Sequence, residues 1–288
     1  MKQNVWPKRF YALDVSRGLA MFSVILWHWQ HYAFNGSVLS PDFVRESQPL
    51  YPILRLAYEA GGRGARYFFL LSGFIFFWLY RKSIHKKAVS AWVFGVRRFS
   101  RLYPLHLVTL LIVAVLQLLY ASREGTSFVY SSNDLYHFFL NLSLAFHWGF
   151  EKGWSFNAPA WTMSVEALLY VIFFVVALLG QGGWRFCLAV SILAFVGWRI
   201  FHHRLFEGLT LFFLGGLTFY LTLLASTKRH TLKKPIYLGA ILCWVAVIVN
   251  YYLFDFASLI LKWGAIGKIL SAGFPFFLLF PLQYAVWR

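Results

Sequence analysis

The stretch Asp14–Trp29, DVSRGLAMFSVILWHW, decides how the fold is interpreted. It is apolar enough to begin a membrane-crossing helix, yet it contains Arg17 and His28, two ionisable residues that are costly to bury in lipid. They are eleven positions apart, which on an α-helix is three turns plus roughly 20°, so both lie on nearly the same face about 16 Å apart along the axis. Asp14, at i−3 from Arg17, can pair with the guanidinium. The pattern predicts a polar seam facing the inside of a helical bundle.

Each of these ionisable residues also has an ordinary explanation. Arg17 can extend back to the membrane interface, and His28 can be an interfacial histidine with a satisfied hydrogen bond. Two such residues on one face, with an acidic residue beside them, give the functional explanation equal weight.

The composition of the whole chain is that of a polytopic membrane protein. Of its 288 residues, 60% are hydrophobic and only 13% are charged, about half the charged fraction of soluble domains. Several apolar runs approach the length that spans a bilayer, and the alternating segments of a transmembrane β-barrel are absent. We therefore expect an all-α transmembrane bundle, a single integral-membrane domain over residues 1–288.

The apolar runs predict about eight crossings of the lipid bilayer. They lie near residues 10–33, 64–82, 102–121, 160–180, 184–201, 208–225, 235–254 and 265–286. The loop 83–101, with the helix end before it, is basic and contains no acidic residue, which places it in the cytoplasm together with both termini. The segment Leu135–Trp148 is apolar but too short to span, so it is predicted to be re-entrant or interfacial.

The net charge of +17 does not indicate nucleic acid, because the basic residues concentrate in the loops between apolar runs. The two cysteines, Cys187 and Cys243, lie within apolar runs, so no disulfide framework is expected. No cluster of histidine, cysteine and carboxylate has metal-ligand spacing, so no metal site is predicted.

Two basic or glycine-rich segments are candidates for binding. In residues 61–82, GGRGARYFFLLSGFIFFWLYRK, Ser72 places a hydroxyl and Gly73 a gap in mid-membrane; packing of helices through small residues explains this segment equally well and is preferred for it alone. In residues 97–104, RRFSRLYP, Arg98 and Arg101 share a helix face at a cytoplasmic helix mouth. The forked guanidinium group of arginine is suited to binding phosphate. The usual excess of basic residues at the cytoplasmic end of a membrane helix also explains these two arginines.

A membrane carboxylate occurs in residues 157–174, NAPAWTMSVEALLYVIFF. A helix is predicted to begin near Trp161, which places Glu166 one to two turns inside it and Tyr170 at i+4 on the same face. A buried glutamate needs a partner such as Arg17, His28 or another arginine, and a structural ion pair is the alternative to a catalytic role. The segment 202–208, HHRLFEG, echoes a motif of soluble acyl-transferring enzymes but lies in a short turn, so no role is assigned to it.

Four blocks of the sequence together resemble membrane acyltransferase family 3, the integral-membrane enzymes that O-acylate carbohydrates. In chain order they read LDVSRGLAMFSVILWHW, GGRGARYFFLLSGFIFF, RRFSRLYPLHL and NAPAWTMSVEALLYVIFF. The family's patterns fall on Arg17 and His28, on Ser72 to Phe74, on Arg98 and Arg101, and on Trp161, Ser164 and Glu166.

The resemblance implies transfer of an acyl group, most simply acetyl, from cytoplasmic acyl-CoA to a hydroxyl of a carbohydrate, in a bacterial inner membrane. It implies three sets of residues: catalytic His28, Arg17 and Glu166; donor-binding Ser72, Arg98 and Arg101; and substrate-binding Trp161, Tyr170 and Asp14. Imidazole, with an ordinary pKa near 6.5, suits a general base on the acceptor hydroxyl. Glu166 would either orient His28 or pair with Arg17. No bound cofactor is expected, since acyl-CoA is a substrate, and the oligomeric state is open.

The sequence departs from the family pattern after the eighth predicted helix. Members usually have ten helices and a late motif like SYxxYLxH, so this chain is expected to be a short member or to lack the last two helices. Two alternatives stay open: a proton-coupled secondary transporter that uses Arg17, His28 and Glu166 as a relay, and a non-catalytic membrane scaffold. The paired inverted halves typical of transporters are not seen in the sequence.

Overall fold

The computed structural model describes residues 11–227 and, beyond them, residues 234–235, 238–239, 241–242, 245 and 248. The predicted span 265–286, and all but these few positions of the predicted span 235–254, lie outside the described residues.

The described part of the chain is mostly helical, as predicted. The helices are α1 Tyr11–His28, α2 Tyr51–Ala60, α3 Gly62–Leu79, α4 Arg81–His85, α5 Ala91–Glu124, α6 Leu135–Leu142, α7 Trp161–Leu178, α8 Trp184–Phe201 and α9 Arg204–Thr227. Short 3-10 turns cover Trp29–Ala33, Arg45–Ser47 and Ala158–Ala160, and a hairpin pairs β1 Phe34–Asn35 with β2 Val38–Leu39.

Four helices are long and apolar enough to cross a membrane: Ala91–Glu124, Ala158–Leu178, Trp184–Phe201 and Arg204–Ser226. These four are found among the described residues alone. The chain is therefore an integral membrane protein, whereas the full number of crossings and the side of each terminus stay predictions.

The start of α5 corrects one predicted boundary. Residues up to Arg101 were expected to form a cytoplasmic loop, but α5 begins at Ala91, where the Ser90 hydroxyl caps the helix by accepting a hydrogen bond from the Val93 amide at 3.2 Å. Such a cap satisfies a backbone donor that helix formation would leave unpaired. The helix ends at Glu124, where Gly125 adopts the left-handed conformation with φ 69°. Arg98 and Arg101 therefore lie inside a 34-residue helix.

Two further boundaries differ at the start of the chain. The first span was expected to reach residue 33, but α1 ends at His28 and the backbone tightens into a 3-10 turn. The region 34–63, expected to be a loop, contains α2, which has Pro52 in its first turn. Proline is tolerated there because the first helical amides have no intrahelical acceptor.

The described part falls into two compact units. The first contains the described residues among 11–29, 46–68 and those from 220 onward. Its core packs α1 against α2 through Leu26, Tyr51 and Tyr58. The backbone of α1 also lies close to the start of α3, since a Cβ at Gly64 would lie 2.6 Å from the Ala20 carbonyl oxygen.

The second unit contains residues 30–45 and 69–219. Its core is aromatic: the ring of Phe76 lies 4.9 Å from that of Tyr170, 5.1 Å from Phe173 and 5.7 Å from Phe212. Aromatic pairs in these geometries stabilise cores beyond the area that they bury.

Backbone contact fixes the crossing of α3 and α9 in this unit. A Cβ at Gly73 would overlap the carbonyl oxygen of Phe212, and a Cβ at Gly215 would overlap that of Leu70. The expectation that the glycines of the 61–82 segment serve helix packing is thus confirmed for Gly73.

The short apolar segment that begins at Leu135 is helical over α6 and packs along α5. The hydroxyl of Tyr103 donates to the Leu142 carbonyl at 3.0 Å, and a ring nitrogen of His106 lies 2.8 Å from the Asn141 carbonyl oxygen. With eight residues, α6 is too short to span a bilayer, as predicted.

Candidate active site

The carboxylate of Glu166 is held by two hydroxyl groups in the second unit. Ser72 on α3 donates to Glu166 Oε1 at 2.5 Å, and the Tyr170 hydroxyl, one turn along α7, bonds to the same carboxylate. The i,i+4 relation of Glu166 and Tyr170 is the one expected from the sequence. The structure therefore joins a residue of the predicted donor site to one of the predicted catalytic set.

Arg98 lies beside this carboxylate in a cage of aromatic rings. Its guanidinium carbon is 4.6 Å from the ring centre of Tyr80, 4.7 Å from Phe76, 5.8 Å from Phe94 and 5.9 Å from Tyr170. The faces of such rings attract a cation. Its Nε is buried and has no hydrogen-bond partner among the described residues.

Arg101 lies one turn further along α5 and is exposed. Together with Arg98 it acts electrostatically on Glu166. The structure thus brings Ser72, Arg98, Arg101, Glu166 and Tyr170 into one cluster, which we call the inner cluster. An exposed arginine, a caged arginine and a hydroxyl-bound carboxylate form a site suited to an anionic ligand.

The other predicted catalytic residues belong to the first unit. Arg17 and His28 lie on the unbroken helix α1, so their eleven-residue spacing keeps the helical relation expected from the sequence. Both side chains are half-buried, as is that of Asp14 in the first turn. Arg17 acts electrostatically on the phenol of Tyr67, whose oxygen lies 2.6 Å from the Ser16 hydroxyl.

Trp161 opens α7 and contacts a different group of residues from the inner cluster. Its ring lies 5.6 Å from Phe69 and 6.2 Å from His147, and the Arg204 guanidinium carbon is 5.2 Å from its centre. The role of Trp161 in substrate binding stays a prediction. The structure places its ring beside a second group of polar residues.

That second group, the outer cluster, consists of His147, Glu151 and His203. Glu151 Oε1 lies 3.1 Å from His147 Nδ1 and 3.3 Å from His203 Nε2. The backbone amide of His147 donates to the Ser164 hydroxyl at 3.0 Å. The sequence did not predict this cluster, because His203 comes from the turn between α8 and α9, far from the other two residues along the chain. The i,i+4 spacing of His147 and Glu151 was the one local pattern that pointed to a contact between them.

The HHRLFEG segment, set aside as a motif, contributes structure here. Glu207 is buried and accepts a hydrogen bond from Arg204 Nη1 at 2.9 Å. His202 adopts the left-handed conformation with φ 53° at the end of α8. Of the segment's ionisable residues, His203 therefore reaches the outer cluster while Glu207 stabilises the start of α9.

Glu151 provides a prediction about pH. Burial raises the pKa of Glu151, but hydrogen bonds from His147 and from backbone amides outweigh it, and the pKa falls from 4.5 to about 2. A carboxyl group with a lowered pKa stabilises the fold above its unfolded pKa and loses that contribution as the pH falls towards 2. We expect Glu151→Gln to lower the melting temperature at neutral pH, with a gap from the unsubstituted protein that narrows below about pH 4.5.

The measurement is thermal unfolding in detergent from about pH 7 to about pH 3. Glu124→Gln, at the exposed end of α5, is the control and is expected to change the melting temperature little, because surface substitutions usually do. A gap for Glu151→Gln that is constant over this range would contradict the assignment.

Comparison with known proteins adds independent information. A family model described as "Acyltransferase domain" matches residues 10–288. The Acyltransferase MdmB of Streptomyces mycarofaciens is 31% identical over 169 residues, which are 58% of this chain and 40% of that protein. The chain therefore spans less than half the length of this curated relative. No solved structure matches the chain.

Proposed function

The chain belongs to the acyltransferase domain family, and from this we propose that it transfers an acyl group from cytoplasmic acyl-CoA to a hydroxyl of a cell-envelope carbohydrate. The observation that carries the proposal is the inner cluster, in which two arginines, a serine, a tyrosine and a glutamate converge. We further propose a bacterial inner membrane, about eight crossings and cytoplasmic termini, on the distribution of basic residues.

The donor site is proposed at the inner cluster. Coenzyme A carries several phosphate charges, and guanidinium groups bind phosphate through paired, charge-assisted hydrogen bonds. Arg101 is exposed and therefore accessible to the phosphates, whereas the caged Arg98 is fixed in position by the rings around it. Glu166 balances these charges and holds the Ser72 and Tyr170 hydroxyls.

The reaction needs a base for the acceptor hydroxyl, and we propose His28. As the imidazole takes the proton, the hydroxyl oxygen bonds to the thioester carbon, the carbon–sulfur bond breaks and the CoA thiolate leaves, to be protonated in turn. Arg17, a fixed positive charge on the same helix, is proposed to stabilise the negative charge that develops on the carbonyl oxygen. Trp161 and Asp14 are proposed to contact the acceptor.

The test is direct transfer of label. The purified full chain in proteoliposomes is given radiolabelled acetyl-CoA and cell-envelope glycans, and the glycans are analysed by mass spectrometry. Acetylated glycan supports the proposal. Uptake of a sugar or anion without acyl-CoA, and with no labelled product, would identify a transporter instead.

We predict that the double variant Arg98→Ala, Arg101→Ala raises the apparent KM for acyl-CoA by about tenfold or more, the equivalent of about 1.4 kcal/mol of binding free energy. The reason is loss of the two guanidinium groups proposed to hold the CoA phosphates. Steady-state kinetics over a range of acyl-CoA concentrations measures it. The control Arg123→Ala removes a positive charge from the other end of α5 and should leave this KM unchanged. An unchanged KM in the double variant would contradict the proposed donor site.

A further inference from the structure

The imidazole of His147 has one nitrogen in contact with Glu151 and one that is available to a ligand. Its Nδ1 lies 3.1 Å from Glu151 Oε1. Because a carboxylate accepts hydrogen bonds and cannot donate them, the neutral ring carries its proton on Nδ1, and Nε2 keeps a lone pair. No residue in the described part of the chain bonds to this Nε2. His147 therefore offers a hydrogen-bond acceptor to a group that carries an O–H or N–H.

The position of His147 is fixed by the first turn of α7. Its backbone amide donates to the Ser164 hydroxyl at 3.0 Å, and Nε1 of the neighbouring Trp148 donates to the Ser164 carbonyl at 2.8 Å. Ser164 precedes Glu166 by two residues, which is a rise of about 3 Å along a helix. A ligand bonded to His147 would thus lie beside the part of α7 that carries the carboxylate of the inner cluster.

Trp154 provides an apolar surface next to this imidazole. The centres of the Trp154 and His147 rings are 4.6 Å apart, and Trp154 is 40% exposed. Ligand sites typically combine aromatic side chains with a few well-placed polar groups. A sugar ring matches this pair, because it has a face of C–H groups that can stack on an indole and hydroxyls at its edge that can donate to an imidazole.

The charge beside His147 favours a neutral ligand over an anionic one. Glu151, whose pKa is about 2, is ionised at neutral pH. The guanidinium of the nearby Arg204 is already bonded to the buried Glu207 at 2.9 Å. The Glu151 carboxylate would repel a phosphate group but not a sugar hydroxyl. This part of the protein therefore differs from the inner cluster, where two arginines favour an anion.

We propose that Trp154 and His147 bind the acceptor carbohydrate, with the C–H face of a sugar ring on the indole and one sugar hydroxyl donating to His147 Nε2. The proposal rests on the function proposed above and adds to it two residues that recognise the acceptor. His28 is still the base proposed for the reacting hydroxyl, and His147 bonds to another hydroxyl of the same sugar.

The first experiment measures acyl transfer by the full chain in proteoliposomes, with acetyl-CoA and cell-envelope glycans varied in turn. Trp154→Leu is expected to raise the apparent KM for glycan by about tenfold or more, while the KM for acetyl-CoA changes by less than about twofold. Trp154→Phe keeps an aromatic face and should restore most of the loss. The matched control Trp184→Leu, at an exposed tryptophan that begins α8, should leave both KM values unchanged.

A second pair of variants separates ligand binding by His147 from a structural role. Asparagine can place its amide N–H near the position of Nδ1 and keep the bond to Glu151, but it has no counterpart of Nε2. Glutamine can place its amide oxygen near the position of Nε2. We expect His147→Asn to raise the glycan KM by about tenfold or more and His147→Gln to raise it by less. A structural role predicts the opposite order, and that order would overturn the inference.

Other outcomes would overturn the inference while leaving the proposed function intact. These are an unchanged glycan KM in Trp154→Leu and His147→Asn proteins that elute as folded in size exclusion, or a raised KM for acetyl-CoA instead. If no acyl group is transferred, the proposed function fails, and binding of the same glycans tests the site separately. A saturable change in tryptophan fluorescence that is lost in Trp154→Leu and kept in Trp184→Leu would support it. No change in the unsubstituted protein, or a change that Trp154→Leu retains, would overturn it.

Discussion

Replacing His28 with alanine is expected to lower the rate of acyl transfer by about 10²–10⁴-fold, the usual contribution of a positioned general base. Without an imidazole on α1, the acceptor hydroxyl must lose its proton to water as the thioester is attacked. The apparent KM for acyl-CoA should change little, because the groups proposed to bind the donor are in the other unit of the chain. Single-turnover transfer of labelled acetyl measures the chemical step.

The matched control is His85→Ala, at an exposed histidine in α4, which should transfer at the normal rate. This comparison separates a role of His28 from a general effect of removing one of the nine histidines. The melting temperature of each variant shows whether the fold is retained. Full transfer by a folded His28→Ala protein would end the assignment of the base.

Replacing Gly73 with leucine is expected to destabilise the fold by at least about 3 kcal/mol, at the upper end of the cost of overpacking a core. The new side chain would occupy the position of the Phe212 carbonyl, which is part of the helix backbone and has no rotamer to adopt instead. We expect α3 and α9 to separate. Fluorescence-detected size exclusion in detergent should show loss of the monodisperse peak, and thermal unfolding should show a lowered melting temperature in whatever protein remains.

Gly18→Leu makes the same substitution at a glycine that lacks this contact. Gly18 is also inside a helix, but a Cβ there would meet nothing within 4 Å, so stability should be retained or rise by up to about 1 kcal/mol from improved helix propensity. A Gly73→Leu protein with a normal elution profile and melting temperature would show that α3 and α9 do not cross at this residue.

The sequence predicted the spanning helices well where length and apolarity were decisive. The bounds of α8 coincide with the predicted 184–201, and α7 differs by a residue or two at each end. It failed at α5, where the basic residues before Arg101 were interpreted as a loop. Arginine is a good helix former, and the Ser90 cap lies twelve residues before residue 102, where the apolar run begins. Charge near a membrane reports which side a segment is on, not whether it is helical.

In the candidate site, contacts between residues close together in the sequence were predictable, and contacts between distant residues were not. The pairs Glu166 with Tyr170 and Arg98 with Arg101 follow from helix spacing, so the sequence predicts them. The hydrogen bond from Ser72 to Glu166 joins residues 94 positions apart, and only the family resemblance placed both in one site. The aromatic cage of Arg98 could not be predicted, because its rings come from several segments and any of the chain's many aromatic residues was an equal candidate.

The closest approach of two helices in the second unit also has a consequence for the protein's surroundings. Ser72 directly precedes Gly73, where the main chain of α3 lies against that of α9, and Gly208 of α9 packs against the side chain of Val165, which is next to Glu166. The positions of the serine and the glutamate along α9 are therefore set by close packing, through backbone contact at Gly73 and through the Val165 side chain at Gly208. Lipids that thicken or thin the membrane with growth temperature act on the tilt of such helices, and here the two residues would shift in step, so their separation stays the same in cold and in heat.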